Sequence, residues 1–307
     1  MVDLSVNIGQ LKLKNPVMAA SGTFGPEYRE LIDINSLGAI ILKTVTLNER
    51  SGNPPPRVAE TESGMLNSIG LENKGFADFA KNKISKLRGI KIPVIASIAG
   101  DNEKEYGMLA AKMDRLGPKI DAIEINLSCP NVRHGRREGL IAQDEAATRQ
   151  VLRAARRSTR LPLIAKLAPN VTNITNIAVA AAKGGADAVL VSNTFQAMAV
   201  DIETRMPKLG NITGGLSGPA IKPVVLKMVW DLYNSIDLPI IGCGGIMDYK
   251  DAAEFMICGA SAIQVGTATF ANPRAATDIV KSLKGYMTKN GYKKLNEFTG
   301  KLKTGAL

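Results

Sequence analysis

Eight short apolar runs recur along the chain: PVMAAS (16–21), AIILKT (39–44), PVIASIA (93–99), AIEINLS (122–128), LIAKLA (163–168), AVLVSNT (188–194), PIIGCGG (239–245) and AIQVGTA (262–268). They are continuously apolar rather than alternating, as parallel strands covered by helices or by barrel packing are. The stretches between them carry apolar residues three and four apart. In NEKEYGMLAAKMDRLGP, Tyr106, Leu109, Met113 and Leu116 share one helical face, and Gly117-Pro118 ends the pattern. Similar helices are predicted over 26–33, 74–88, 144–159, 174–184, 219–235, 248–258 and 273–290. Eight strand–helix units in this length predict an α/β protein, a single (β/α)8 TIM barrel spanning 1–307 as one domain, with an open doubly wound sheet as the structural alternative. Two connections are too long for simple turns: Val45 to Asn73 after the second strand, and Phe195 to Gly218 after the sixth. Both follow strand C-terminal ends, the face where barrel enzymes keep their chemistry, and long loops there are usually lids or binding loops.

Composition narrows the class without choosing a function. Hydrophobic residues make up 45% and charged residues 22%, the profile of a globular protein with a full core. No apolar run approaches the ~20 residues a membrane helix needs, and MVDLSVNIGQ lacks the basic start and apolar stretch of a signal peptide. A cytoplasmic protein without membrane attachment is expected. The formal net charge of +11 suits an acidic ligand or partner, but aromatics are only 5% and none interleave with the basic clusters at 153–160 and 289–303, so nucleic acid is not an expected partner. Cys129, Cys243 and Cys258 form no Cys-x-x-Cys pair, which leaves out a disulfide framework and any zinc or iron–sulfur site, and no metal is expected.

Polar groups gather at the predicted strand ends: Ser21, Lys43, Thr44, Asn126, Ser128, Cys129, Lys166, Asn193, Thr194, Gly244, Gly245, Gly266 and Thr267. Any one of these suits a capped turn; their convergence from several strands points to a site. GCGGI after strand seven and VGTA after strand eight put glycines where backbone amides can approach an anion, and in barrels these two loops frequently hold a phosphate. Neither is a Walker loop or a Gly-x-Gly-x-x-Gly turn, so a phosphate-bearing cofactor or substrate is inferred without Rossmann-type binding. Lys43 and Lys166 close apolar strands, where a lysine wants an anion or a carbonyl; charge neutralisation and Schiff-base chemistry are both open. Cys129, in INLSCPN, sits among Asn and Ser near a lysine and reads as a base or a nucleophile. Cys243 and Cys258 lie in apolar stretches and read as small core residues. His134, the only histidine, lies among Arg133, Arg136 and Arg137 and is a poor activator of that thiol.

These motifs together resemble the dihydroorotate dehydrogenases, in particular the FMN-containing catalytic subunit of the cytosolic, NAD-linked class 1B type. The resemblance rests on KNPVMAASGTFG (14–25), GNPPPRVAETESGMLNSIGLEN (52–73), NLSCPNV (126–132), KLAPNVT (166–172), NITGGLSGPAIKP (211–223), IIGCGGI and VGTA, from about Val6 to beyond Phe270. It implies oxidation of dihydroorotate to orotate in pyrimidine biosynthesis, with Cys129 taking a proton from the ring carbon at position 5 and hydride passing from position 6 to flavin N5. Carried over motif by motif, FMN would contact Ser21, Lys43, Thr44, Asn126, Lys166, Val191, Gly218, Gly244, Gly245, Gly266 and Thr267. The pyrimidine would contact Lys43, Asn67, Ser68, Ile69, Gly70, Leu71, Asn126, Asn131, Asn193 and Thr194, with Lys43 between flavin and substrate. The class also implies a homodimer core and a second subunit carrying FAD and an iron–sulfur cluster. The membrane-associated class carries serine at the cysteine's position. Ser97 stands where relatives usually have Asn, Arg136 and Arg137 stand where they have glycine and a neutral residue, and Ala199 replaces a basic one. The rival readings are a dihydropyrimidine dehydrogenase acting on dihydrouracil and a non-redox lyase using Lys43 or Lys166 as a Schiff base.

Overall fold

A computed structural model describes residues 2–127 and 141–305. Eight strands close into a barrel: β1 (Val17–Ala19), β2 (Ala39–Ile41), β3 (Val94–Ile98), β4 (Ala122–Asn126), β5 (Leu163–Lys166), β6 (Ala188–Val191), β7 (Ile240–Cys243) and β8 (Ala262–Val265). Each pairs in parallel with its neighbours in chain order, and β8 pairs with β1, so the sheet has no edge and the open-sheet alternative is excluded. Every apolar run of the sequence forms one barrel strand.

The strand period of two sorts the interior into halves. Met18, Ile41, Ile95, Ala122, Ile164, Leu190, Ile241 and Ala262 form one apolar cluster with Ile8, Leu11 and Leu13. The last three belong to an N-terminal hairpin, Val6–Ile8 paired with Leu11–Leu13, which packs into the barrel as its floor. Two residues further along the same strand faces, the interior turns polar: Ser97, Glu124, Lys166, Cys243 and Gln264 follow Ile95, Ala122, Ile164, Ile241 and Ala262. The apolar half closes the barrel, and the polar half opens toward the strand C-terminal ends.

The outer ring contains α1 (Glu103–Asp114), α2 (Glu145–Ser158), α3 (Ile174–Gly184), α4 (Lys222–Tyr233), α5 (Tyr249–Ile257) and α6 (Ala275–Lys289). Side chains cap their N-termini where the sequence offers them: Asn102 accepts from the amides of Lys104 and Glu105 before α1, and Asp248 with Asp251 forms a capping box on α5. Two predicted helices differ. Residues 26–33 form a 3-10 turn, Pro26–Glu30, followed by a second, Ile34–Ser36. Asp33 accepts from the Asn35 amide between them, a local bond that competes with helical continuation. Over 74–88 the chain runs through one α turn (Gly75–Asp78), a π turn (Phe79–Lys83) and a 3-10 turn (Ile84–Leu87), with the Ser85 hydroxyl donating to the Asn82 carbonyl.

The two long connections are joined to each other. Phe195–Met198, Thr213–Ser217, Gly64–Asn67 and Val58–Thr61 make a four-stranded antiparallel sheet in that order. The central pairing, Leu216 with Leu66, unites the loop after β2 with the loop after β6. Beyond it a small hairpin, Val200–Asp201 with Met206–Pro207, carries exposed Val200, Ile202 and Met206, and Met198 and Ile212 beside it in the chain are exposed as well. No helix among the described residues is long and apolar enough to cross a membrane.

Candidate active site

A cavity of about 330 Å³ opens at the C-terminal end of the barrel, beneath the four-stranded cover. Ser21, Lys43, Thr44, Asn126, Lys166, Gly218, Gly244, Gly245, Gly266 and Thr267 all line it, as do Asn67, Ile69, Gly70, Leu71, Asn193 and Thr194. Seven strand ends and both long loops therefore contribute. Val191 does not reach the cavity: it is fully buried on β6 and packs outward against the helices. Ser68 is also fully buried, its hydroxyl accepting from Asn53 Nδ2 at 2.8 Å, and it supports the loop from behind. Ser128, Cys129, Asn131 and His134 lie outside the described residues.

On the glycine side, the backbone amides of Gly244, Gly245, Gly266 and Thr267 donate to no backbone acceptor among the described residues. Gly245, at φ +72°, faces Lys222 and the Gly218 carbonyl so closely that an added Cβ would come within 2.7 Å of Lys222 Cβ. Gly245 thus admits no side chain on that side, and the four unused donors border the cavity, as an anion's cradle requires. Asp251 fixes this loop by accepting from the amides of Met247 and Asp248, and it pairs with Lys222 at 2.7 Å. Burial raises the Asp251 carboxyl, but Lys222 and the two amides more than offset it and leave it below the ordinary value.

Across the cavity, Asn193 Nδ2 donates to Asn126 Oδ1 at 3.2 Å, and Asn67 Nδ2 donates to the Gly215 carbonyl at 3.3 Å. The Asn126 carbonyl is held from behind by the fully buried Tyr106 hydroxyl of α1 at 2.7 Å. Lys43 is exposed at the mouth, while Lys166 is 6% exposed and faces Glu124 at 3.7 Å. Glu124 also accepts from Ser97 Oγ at 2.9 Å and from Gln264 Nε2 at 3.0 Å. Since Ser97 spends its one proton on Glu124, the 2.8 Å contact between Thr44 and Ser97 must be donated by Thr44. Thr44 is left with acceptor lone pairs toward the cavity. Cys243 lines the cavity beside these groups, and burial pushes its thiol up to about 11, with Glu124 adding to the shift and Lys166 opposing it.

The profile of the dihydroorotate dehydrogenase family matches residues 3–287. The chain belongs to that family. It is 48% identical over 302 residues to the catalytic subunit of dihydroorotate dehydrogenase B (NAD(+)) from Desulforudis audaxviator, covering 97% of each chain. It is 49% identical over 304 residues to the corresponding subunit from Geotalea daltonii, covering 98% of each. A crystal structure of the Eimeria tenella dihydroorotate dehydrogenase in complex with ferulenol superposes with a TM-score of 0.79 at 24% identity, covering 97% of this chain and 88% of that one, and shows the same fold. The relatives are class 1B, and the chain is an oxidoreductase of that class.

A dihydroorotate dehydrogenase uses a flavin, and the residues present fit one. The unused amides suit a phosphate, and Gln264 Oε1 is buried in the cavity wall with no partner among the described residues. A flat ring edged with amide and carbonyl groups would supply what these atoms lack. Ser97 does not line the cavity; its hydroxyl donates to Glu124 instead. Cys258 packs against the outer core as expected, but Cys243 reaches the site. Glu124, Gln264, Ser192, Ser217 and Met65 were not anticipated. For Glu124 and Gln264 the signal was available, since each is a lone polar residue at an inward position of an otherwise apolar strand. Among the described residues no three His, Cys, Asp or Glu side chains cluster to hold a metal ion.

Proposed function

We propose that this chain, acting as one unit over 1–307, oxidises dihydroorotate to orotate in pyrimidine biosynthesis as the FMN-carrying catalytic subunit of a class 1B enzyme. The observation that carries the reading is the convergence of four unused loop amides, two lysines and three asparagines on one cavity, in a chain of this family. FMN, when bound, accepts the hydride. The chain's own residues do the rest. Gly244, Gly245, Gly266 and Thr267 hold the phosphate through backbone amides, while Ser21, Thr44, Asn126, Lys166 and Gly218 hold the remainder of the cofactor; Val191, buried behind the cavity wall, supports them from outside it. Asn67, Asn126, Asn131, Asn193 and Thr194 grip the pyrimidine, because asparagine both donates and accepts along an amide edge. Ser68, Ile69, Gly70 and Leu71 carry the loop that presents Asn67. Lys43, exposed at the mouth, supplies positive charge between cofactor and substrate. Cys129 takes the proton from ring carbon 5, since a carbon acid needs a positioned base.

The same reading assigns a cytoplasmic setting and a homodimer core. It also assigns a second subunit bearing FAD and an iron–sulfur cluster, docked in part by the basic surface behind the +11 net charge. The test is anaerobic addition of dihydroorotate to the purified yellow protein. Bleaching of the flavin is expected, and so is its recovery on adding the partner subunit with NAD+. Bleaching by dihydrouracil but not by dihydroorotate overturns the substrate, and a colourless protein overturns the chemistry. Cys129→Ala is expected to keep the flavin and to slow its reduction by ~10²–10⁴-fold; near-normal reduction removes Cys129 from the mechanism.

A further inference from the structure

Glu124 is a fully buried carboxylate in the middle of β4, and it does not itself line the cavity. Of its three direct side-chain partners, Lys166 of β5 and Gln264 of β8 do line it, and the third, Ser97 of β3, links it to another lining residue, Thr44. Burying a carboxylate is costly unless it is paired and hydrogen-bonded, and a buried ion pair is a poor way of stabilising a core that apolar residues can fill. The lower half of this same barrel is filled by Ile, Leu, Met and Ala, so the fold has no need of a charge there. The charge faces upward, to the lysine beside the site.

We propose that Glu124 is a positioning residue that keeps Lys166 protonated through the whole redox cycle, so that no proton enters or leaves the lysine when the cofactor is reduced. This rests on the flavin reading of the cavity given above. An ammonium buried without a counter-charge gives up its proton readily; such lysines titrate as low as about 5–6. Reduction of a flavin by two electrons adds negative charge, which would draw a proton back onto a neutral amine. With Glu124 in place the amine is already charged. The other groups facing the pair do not substitute for it: the Cys243 thiol on β7, raised to about 11, stays neutral, Ser97 and Gln264 do not titrate, and Lys43 from beyond β2 carries the same sign as Lys166.

The test is a mediated potentiometric titration with dithionite of the flavin-loaded protein between about pH 6 and 9. In Glu124→Gln the reduction should take up one proton more than in the wild type for the same two electrons, that proton coming from solvent and ending on Lys166 Nζ. The reduction equilibrium then shifts tenfold further per pH unit, about 30 mV for a two-electron couple. Parallel lines for wild type and Glu124→Gln overturn the inference. The extra slope should vanish in Glu124→Gln/Lys166→Met, and its persistence there also overturns it. Lys166→Met alone gives an answer that does not depend on Glu124→Gln folding: it should lower the potential while keeping the wild-type slope, and a shallower slope would show that the wild-type lysine exchanges a proton. A wild-type chain that takes up no flavin overturns the functional reading and this inference together, and is recognised before any variant is titrated.

Discussion

Gly245 and Gly266 occupy matching positions in the two loops assigned to the phosphate, yet their backbones ask for different things. Gly245 sits at positive φ against Lys222 and the Gly218 carbonyl, whereas a Cβ at Gly266 would meet Ala20 and Thr23 at 3.6 and 3.8 Å, ordinary contact distances. Gly245→Ala should therefore cost about 1–3 kcal/mol and release flavin readily, while Gly266→Ala should fold within about 0.5 kcal/mol of the wild type. Urea unfolding and flavin release by ultrafiltration check both. Cys243 supplies a second residue-scale test. Its thiol, moved from 9.0 to about 11, should carry about a hundredfold less thiolate at pH 8 than an ordinary cysteine. Iodoacetamide labelling followed by mass spectrometry should find it essentially unmodified in the folded protein. At this scale the sequence was readable where chemistry is carried by residue type, as with the asparagines and lysines. It was not readable where a residue acts through another, because Ser97 and Glu124 are defined by partners on strands far away in the chain.

At the scale of elements, the loop after β7 depends on α5 for its shape, since Asp251 in the first turn of that helix accepts the amides of Met247 and Asp248. Asp251 is depressed in the folded protein, so its stabilisation is present above the ordinary carboxylate value of 3.8 and is lost as pH falls through the lower folded value. Lys222, raised chiefly by its bond to Asp251, has the opposite dependence: its contribution holds below 10.5 and is lost above the raised value. Asp251→Asn should lower stability near neutrality by about 1–3 kcal/mol and flatten the acid limb of the stability curve. Urea unfolding from about pH 3 to 7 measures this. The eight barrel strands and six of the helices follow from period and punctuation. The four-stranded cover does not, because its strands are short, half-exposed and stabilised by one another across 148 residues of chain rather than by any local pattern. The segment 26–33 differs for a local reason instead: it reads as helix by spacing, while the Asp33 carboxylate takes the Asn35 amide and diverts it.

For the whole molecule, the barrel has a floor and a mouth of opposite character, divided along each strand by one pleat. The floor hairpin escaped the sequence reading since its strands are three residues long and its partners, Met18 to Ala262, come from every part of the barrel. Leu13 is fully buried there, and Leu13→Ala should cost about 2–5 kcal/mol while leaving the flavin spectrum and the activity per folded molecule unchanged. Thermal unfolding of the loaded protein, read beside its visible spectrum, separates the two effects. Closure itself was predictable from eight repeated units, but the identity of the mouth's roof was not. That roof has one further implication. Because Gly64–Asn67 and Thr213–Ser217 hydrogen-bond edge to edge, the walls contributed by the second and sixth units form one mechanical piece. A change of substrate preference that begins with a substitution near Asn67 should thus demand an answering change near Gly215 or Thr194, and neither loop can be transplanted from a relative without the other.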